Sequence, residues 1–105
     1  MRWALLLFRW LGRSGPLERL DIVMYTRRGC HLCEAAWQLL EREQRRYGFR
    51  LTAVDVDSDP ELAARYGLEV PVVAVNGRVR FRGGVNPVLL RRLLRAAARA
   101  TGPSA

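Results

Sequence analysis

Residues 21–33 read DIVMYTRRGCHLC: a run of strand length, a turn, and two cysteines separated by two residues. Ile22, Val23, Met24 and Tyr25 supply the apolar, β-prone content, and Arg27-Arg28-Gly29 ends it. Residues 30–47 then carry a helical period. Leu32, Ala36, Leu39, Leu40 and Glu43 recur at spacings of three and four, Glu41, Arg42, Arg45 and Arg46 are set for water, and Gly48 supplies the stop. A Cys-x-x-Cys pair where a strand gives way to a helix has a chemical consequence. The first thiol stands at the positive end of the helix dipole, beside backbone N–H groups without helical partners, and both favour the thiolate. Arg27, Arg28 and a protonated His31 add positive charge. The second thiol lies one turn on, on the same helix face, within reach of a mixed disulfide formed at the first. The pattern therefore assigns Cys30 as nucleophile, Cys33 as resolving thiol and His31 as the group that tunes the thiolate.

Two other chemistries compete for the same pair. A structural zinc site needs four ligands, and one cysteine pair with one histidine falls short of that, so a metal or iron–sulfur cluster would have to be shared between two copies. A permanently closed disulfide is disfavoured in a reducing cytosol. The exchanging dithiol is the favoured reading and the dimeric metal or cluster module its alternative; no metal is expected in the monomer.

Working outward, 105 residues with half of them apolar suit one domain with a modest core. The net charge is +8, and all 18 basic residues are arginine. Such a balance favours anionic partners in general, but the arginines of the last helix lie opposite an apolar stripe with no interleaved aromatics. They read as a solvated face rather than a nucleic-acid or anionic-membrane surface. Two cysteines cannot staple a secreted mini-protein. The opening MRWALLLFRWLG is apolar, yet Arg9 interrupts it, no small-residue cleavage site follows, and it is shorter than the roughly 20 residues of a spanning helix. The expected location is the cytoplasm. Arg2, Arg9 and Arg13 fall opposite Trp3, Leu7, Trp10 and Leu11 on a helical wheel. An interfacial anchor on anionic lipid or a docking helix is one reading; the favoured one is an extension packed on the domain or on a second copy, or a poorly ordered leader, with residues 12–16 as linker. The expected organisation is an apolar and basic extension over 1–20, a domain over 21–100 and a flexible tail over 101–105.

The rest of the chain supplies the remaining elements. RLTAVDVD, residues 50–57, is a second strand, and Asp59-Pro60-Glu61 starts a short helix that stops at Gly67. Asp55, Asp57 and Asp59 imitate the opening of a calcium loop, but Pro60 and Tyr66 occupy positions that need glycine and a bidentate acid. Residues 72–75 form a third strand. Asn76-Gly77 is a two-residue hairpin turn, and in the return strand Val79 and Phe81 alternate with Arg78, Arg80 and Arg82. Asn86-Pro87 caps a last helix with Leu89, Leu90, Leu93, Leu94 and Ala97 on one face. The order β-α-β-α-β-β-α predicts an α/β fold: a four-stranded mixed sheet with helices on both faces.

YTRRGCHLCEAAWQLL, then VDVDSDPELAARYGLEVPVVAVNGRVRFRGG, then a capped terminal helix, resembles the glutaredoxin-like branch of the thioredoxin superfamily. The resemblance implies the thioredoxin-like fold and thiol–disulfide oxidoreductase activity without a bound cofactor. Its substrates would be disulfide-containing proteins or glutathione mixed disulfides, served by a cellular thiol reductant system with glutathione as a possible co-substrate. It further implies a cis-proline at Pro71, with the backbone of Val70 open to an extended peptide or glutathione. Arg27 takes the place of a lysine that contacts a glutathione carboxylate, and Gly83, Gly84 and Asn86 that of the segment holding its other end. The departures are specific. His31-Leu32 replaces the Pro-Tyr of glutaredoxins and the Gly-Pro of thioredoxins, and Arg28 replaces a proline. Met24 and Gly29 stand where thioredoxins carry a buried acid and a tryptophan.

Overall fold

The computed structural model describes residues 15–100; the amphipathic reading of the first dozen residues and the flexible-tail reading of 101–105 fall outside them. The elements are β1 (Asp21–Thr26), α1 (His31–Tyr47), β2 (Arg50–Asp55), a 3-10 turn at Val56–Ser58, α2 (Pro60–Tyr66), β3 (Val72–Val75), β4 (Arg78–Arg82) and α3 (Pro87–Ala100). They build one mixed sheet in the order β2-β1-β3-β4. β1 runs parallel to β2, Asp21 opposite Arg50, and antiparallel to β3, Tyr25 opposite Val72. The parallel pair requires a crossover, which α1 provides; the β3–β4 pair needs only Asn76-Gly77, whose φ angles of 51° and 81° suit a two-residue hairpin.

Side-chain alternation sets the layers. On β1, Ile22, Met24 and Thr26 are buried beneath α1 and α3, with Leu51 and Ala53 of β2 and Val73 and Val75 of β3. Trp37 and Leu40 from α1, and Leu90 and Leu94 from α3, fill that layer and are fully buried. Tyr25 faces the other way and meets Tyr66 of α2, ring centroids 4.5 Å apart. The predicted four-stranded sheet with helices on both faces is thus the observed architecture.

Four local expectations are corrected. Leu32, assigned to the apolar stripe of α1, is 60% exposed, because the first turn of the helix turns Cys33 to the core instead. Leu89 is likewise 48% exposed at the start of α3. The second strand stops at Asp55, where the Asp55 Oδ1 accepts from the N–H of Asp57 and the Ser58 hydroxyl donates to the Asp55 carbonyl; a local turn outcompetes the ladder. Finally, the packed unit takes in residues 15–20. Leu17 is buried in the core, its N–H donates to Tyr47 O at 2.9 Å, and Arg50 N–H donates to Leu20 O at 2.9 Å.

Candidate active site

Gly29, at φ +74°, turns the chain from β1 into α1. Such a conformation suits a residue without Cβ. Cys30 follows in extended conformation as the N-cap, and its Sγ accepts the N–H of Cys33 at 3.1 Å. The sulfur therefore occupies the place where serine or aspartate normally satisfies an orphan N–H. Cys30 and Cys33 are joined in a disulfide, with Cα atoms 5.2 Å apart. Cys33 is fully buried, Cys30 only partly. His31 and Leu32 project into solvent, so the two residues between the cysteines form surface beside the accessible sulfur.

The β1–β3 register continues past Tyr25 and Val72 to bring Pro71 to the same end of the sheet as Thr26 and the turn before Cys30. The Val70–Pro71 bond is cis. Gly83, at φ +75°, lashes the end of β4 to this loop: its N–H donates to Glu69 O at 2.8 Å and Pro71 O at 2.9 Å. Gly84 follows at φ +154°. Cys30, Val70 and Val85 all pack partly buried against the one core cluster. Cys30, Val70, Pro71, Gly83 and Gly84, on loops, and His31 and Cys33, in the first turn of α1, thus lie at one end of the sheet.

Arg27 and Asn86 both make contacts within the protein. The Arg27 guanidinium makes a two-point contact with Asp57, Nε to Oδ2 and Nη2 to Oδ1, both at 3.0 Å, and its Nη1 donates to Gly67 O at 3.0 Å. The paired hydrogen bonds with Arg27 hold the Asp57 carboxyl below its ordinary range, and reciprocally raise Arg27. Asn86 Oδ1 accepts from the N–H groups of Val88 (2.9 Å) and Leu89 (3.1 Å) and caps α3. Sequence reasoning missed the Asp57 carboxylate, which the aspartate-rich stretch flagged only as a rejected calcium motif. It also missed Thr26, 1% exposed, whose Oγ1 has no hydrogen-bond partner among the described residues. Its signal was a hydroxyl ending the inward face Ile22–Met24–Thr26. Among the described residues no three His, Cys, Asp or Glu side chains converge to hold a metal ion, and no helix is long and apolar enough to cross a membrane.

A cysteine-capped helix after the first strand, a cis-proline loop beside it and a β2-β1-β3-β4 sheet place the molecule in the thioredoxin-fold class. A structural-genomics target from X. campestris superposes with a TM-score of 0.59 at 32% identity, over 72% of this chain and 97% of that one. The oxidised thioredoxin from Plasmodium falciparum superposes with a TM-score of 0.56 at 25% identity, over 75% and 81%. A protein named Probable Thioredoxin from Methanothermobacter thermautotrophicus is 33% identical over 67 residues, 61% of this chain and 79% of the relative. Residues 21–95 match the family model described as Glutaredoxin-like domain (DUF836), and the chain belongs to that family.

Proposed function

We propose that the protein is a thiol–disulfide oxidoreductase of the reducing cytoplasm that acts on protein disulfides. The observation that carries this reading is the Cys30 sulfur in the N-cap of α1, part-exposed, with Cys33 buried one turn behind it. In the reduced protein the Cys30 thiolate attacks one sulfur of a substrate disulfide. The S–S bond breaks, and the departing thiolate takes a proton. Cys33 then gives up its proton and attacks Cys30 Sγ, releasing the second substrate thiol and closing the Cys30–Cys33 disulfide. Two electrons have moved to the substrate, and an external thiol reductant returns them. The Cys33 N–H and the helix dipole stabilise Cys30 as attacking and as leaving thiolate. Val70, whose main chain takes no part in the hydrogen bonds that fix Glu69 and Pro71, offers an edge to an extended peptide.

Protein rather than glutathione disulfides follow from the polar inventory. Three of the five N–H donors of Arg27 are already engaged by Asp57 and Gly67, and the Asn86 carboxamide oxygen caps α3. Beside the sulfur, Leu32 adds an exposed apolar side chain next to exposed Arg28 and His31.

The test compares Cys30→Ser, Cys33→Ser and the parent chain in insulin-disulfide reduction, with dithiothreitol, glutathione or thioredoxin reductase with NADPH as electron source. Cys30→Ser should abolish turnover, and Cys33→Ser should accumulate a mixed disulfide visible by mass. Full activity of Cys30→Ser would sink the reading. Protein purified without oxygen that carries stoichiometric iron or zinc, lost in Cys30→Ser, would favour the shared-metal dimer instead.

A further inference from the structure

β4 is the sheet edge, and α3 lies beside it. Between them runs an open trough of about 330 Å³ lined by Phe81, Leu89, Leu93 and Ala96, with Arg80 and Arg92 at its sides. Leu89, Leu93 and Ala96 stand at i, i+4 and i+7 on α3, so the apolar floor extends about 10 Å along the helix. Arg78, Arg95 and Arg99 are exposed on the same two elements. The acids near this edge are already committed: Glu69 pairs with Arg82 at 2.7 Å, and buried Glu43 with Arg91 at 3.8 Å. Arg78, Arg80, Arg92, Arg95 and Arg99 make no ion pair with any described residue.

We infer that this trough docks an acidic amphipathic helix of a partner protein, its apolar side chains in the floor and its carboxylates on the flanking arginines. Charge complementarity selects among the occupants. Arg2, Arg9 and Arg13 of the chain's own first 14 residues have the same sign as the flanking arginines, as does a second copy of this basic edge, so neither complements the trough in charge. A partner strand meets guanidinium groups at alternate positions of β4 and a register irregularity at Val73/Ala74, both of which guard an edge against strand addition. Phosphate backbones and lipid headgroups match the arginines but leave the apolar floor unused. A two-turn helix stretch with three apolar anchors and acidic flanks satisfies both features. The inference uses neither cysteine and stands apart from the redox reading.

The experiment titrates the full chain into a labelled synthetic helix, leucine at i, i+3, i+4 and i+7 and glutamate on the flanks, read by fluorescence anisotropy at low salt. Saturable binding is expected. It should weaken at least tenfold in the double variant Arg80→Glu/Arg92→Glu, and at least tenfold again for a peptide with serine in place of leucine. The far-UV circular dichroism and Tm of the double variant should match the parent's, showing that it folds. Failure of the peptide to bind, or equal binding of the serine peptide, overturns the proposal. So does tighter, Arg80- and Arg92-dependent binding to duplex DNA or phosphatidylglycerol vesicles.

Discussion

At the scale of single residues, the most consequential contact away from the sulfurs is Arg27 with Asp57. It joins the turn before Cys30 to the 3-10 turn after β2, while Nη1 reaches Gly67 at the end of α2. Because Arg27 holds Asp57 below its ordinary value, folding gains from this carboxylate at pH above the ordinary Asp range near about 4. That gain disappears as pH falls through the lowered native value. Asp57→Asn should therefore lower Tm at pH 7 and flatten the fall in Tm between pH 5 and pH 2; curves parallel to the parent's would refute the coupling. Thr26 presents the opposite case, a buried hydroxyl with no partner among the described residues. Leaving such a group unsatisfied costs about 1–3 kcal/mol, and valine fills nearly the same volume. Thr26→Val should thus be neutral or stabilise by about 1 kcal/mol in urea unfolding of the oxidised protein; a loss of that size would mean the hydroxyl is satisfied.

At the scale of elements, starts and turns were the most legible features, because their causes are local. Asp59-Pro60 does begin α2, with Asp59 Oδ1 accepting from Glu61 N–H at 2.9 Å, and Asn76-Gly77 does turn the hairpin. Asn86 caps α3 through two N–H groups, so Asn86→Ala should cost about 1 kcal/mol, measurable as a shift in the denaturation midpoint with unchanged m-value. Helical periodicity was a poorer guide to burial. It assigns a face but not how far that face stays over the sheet, so Leu32 and Leu89 were placed inward while the first turns of α1 and α3 leave them exposed. The helix ending at Gly67 also carries a constraint invisible in sequence. A Cβ there would lie 2.8 Å from Arg27 Nη2 and 2.5 Å from Ala63 O. The backbone oxygen cannot yield as a flexible side chain can, so Gly67→Ala should destabilise the protein and loosen the Arg27 contact together.

For the whole molecule, the sheet and its dithiol were readable because each rests on patterns within about a dozen residues. The contacts that cross the fold were not. Arg27 and Asp57 are thirty positions apart, and nothing in their spacing announces a pair. The segment 15–20 was hidden for a related reason: Gly15-Pro16 reads as linker, yet the chain turns there and returns Leu17 to the core. Leu17 bonds to Tyr47 at the C-terminal end of α1, the end opposite Cys30. The 17 residues of α1 place roughly 25 Å of helix between them. Substitutions so far apart add nearly independently. Leu17→Ala should therefore cost about 2–5 kcal/mol of global stability, as buried leucines do, while the alkylation rate of Cys30 in the reduced, still-folded protein stays at the parent value. Iodoacetamide kinetics measured well below Tm would decide it. A slowed or accelerated thiol would show that α1 transmits packing at its far end to the cysteine that caps it.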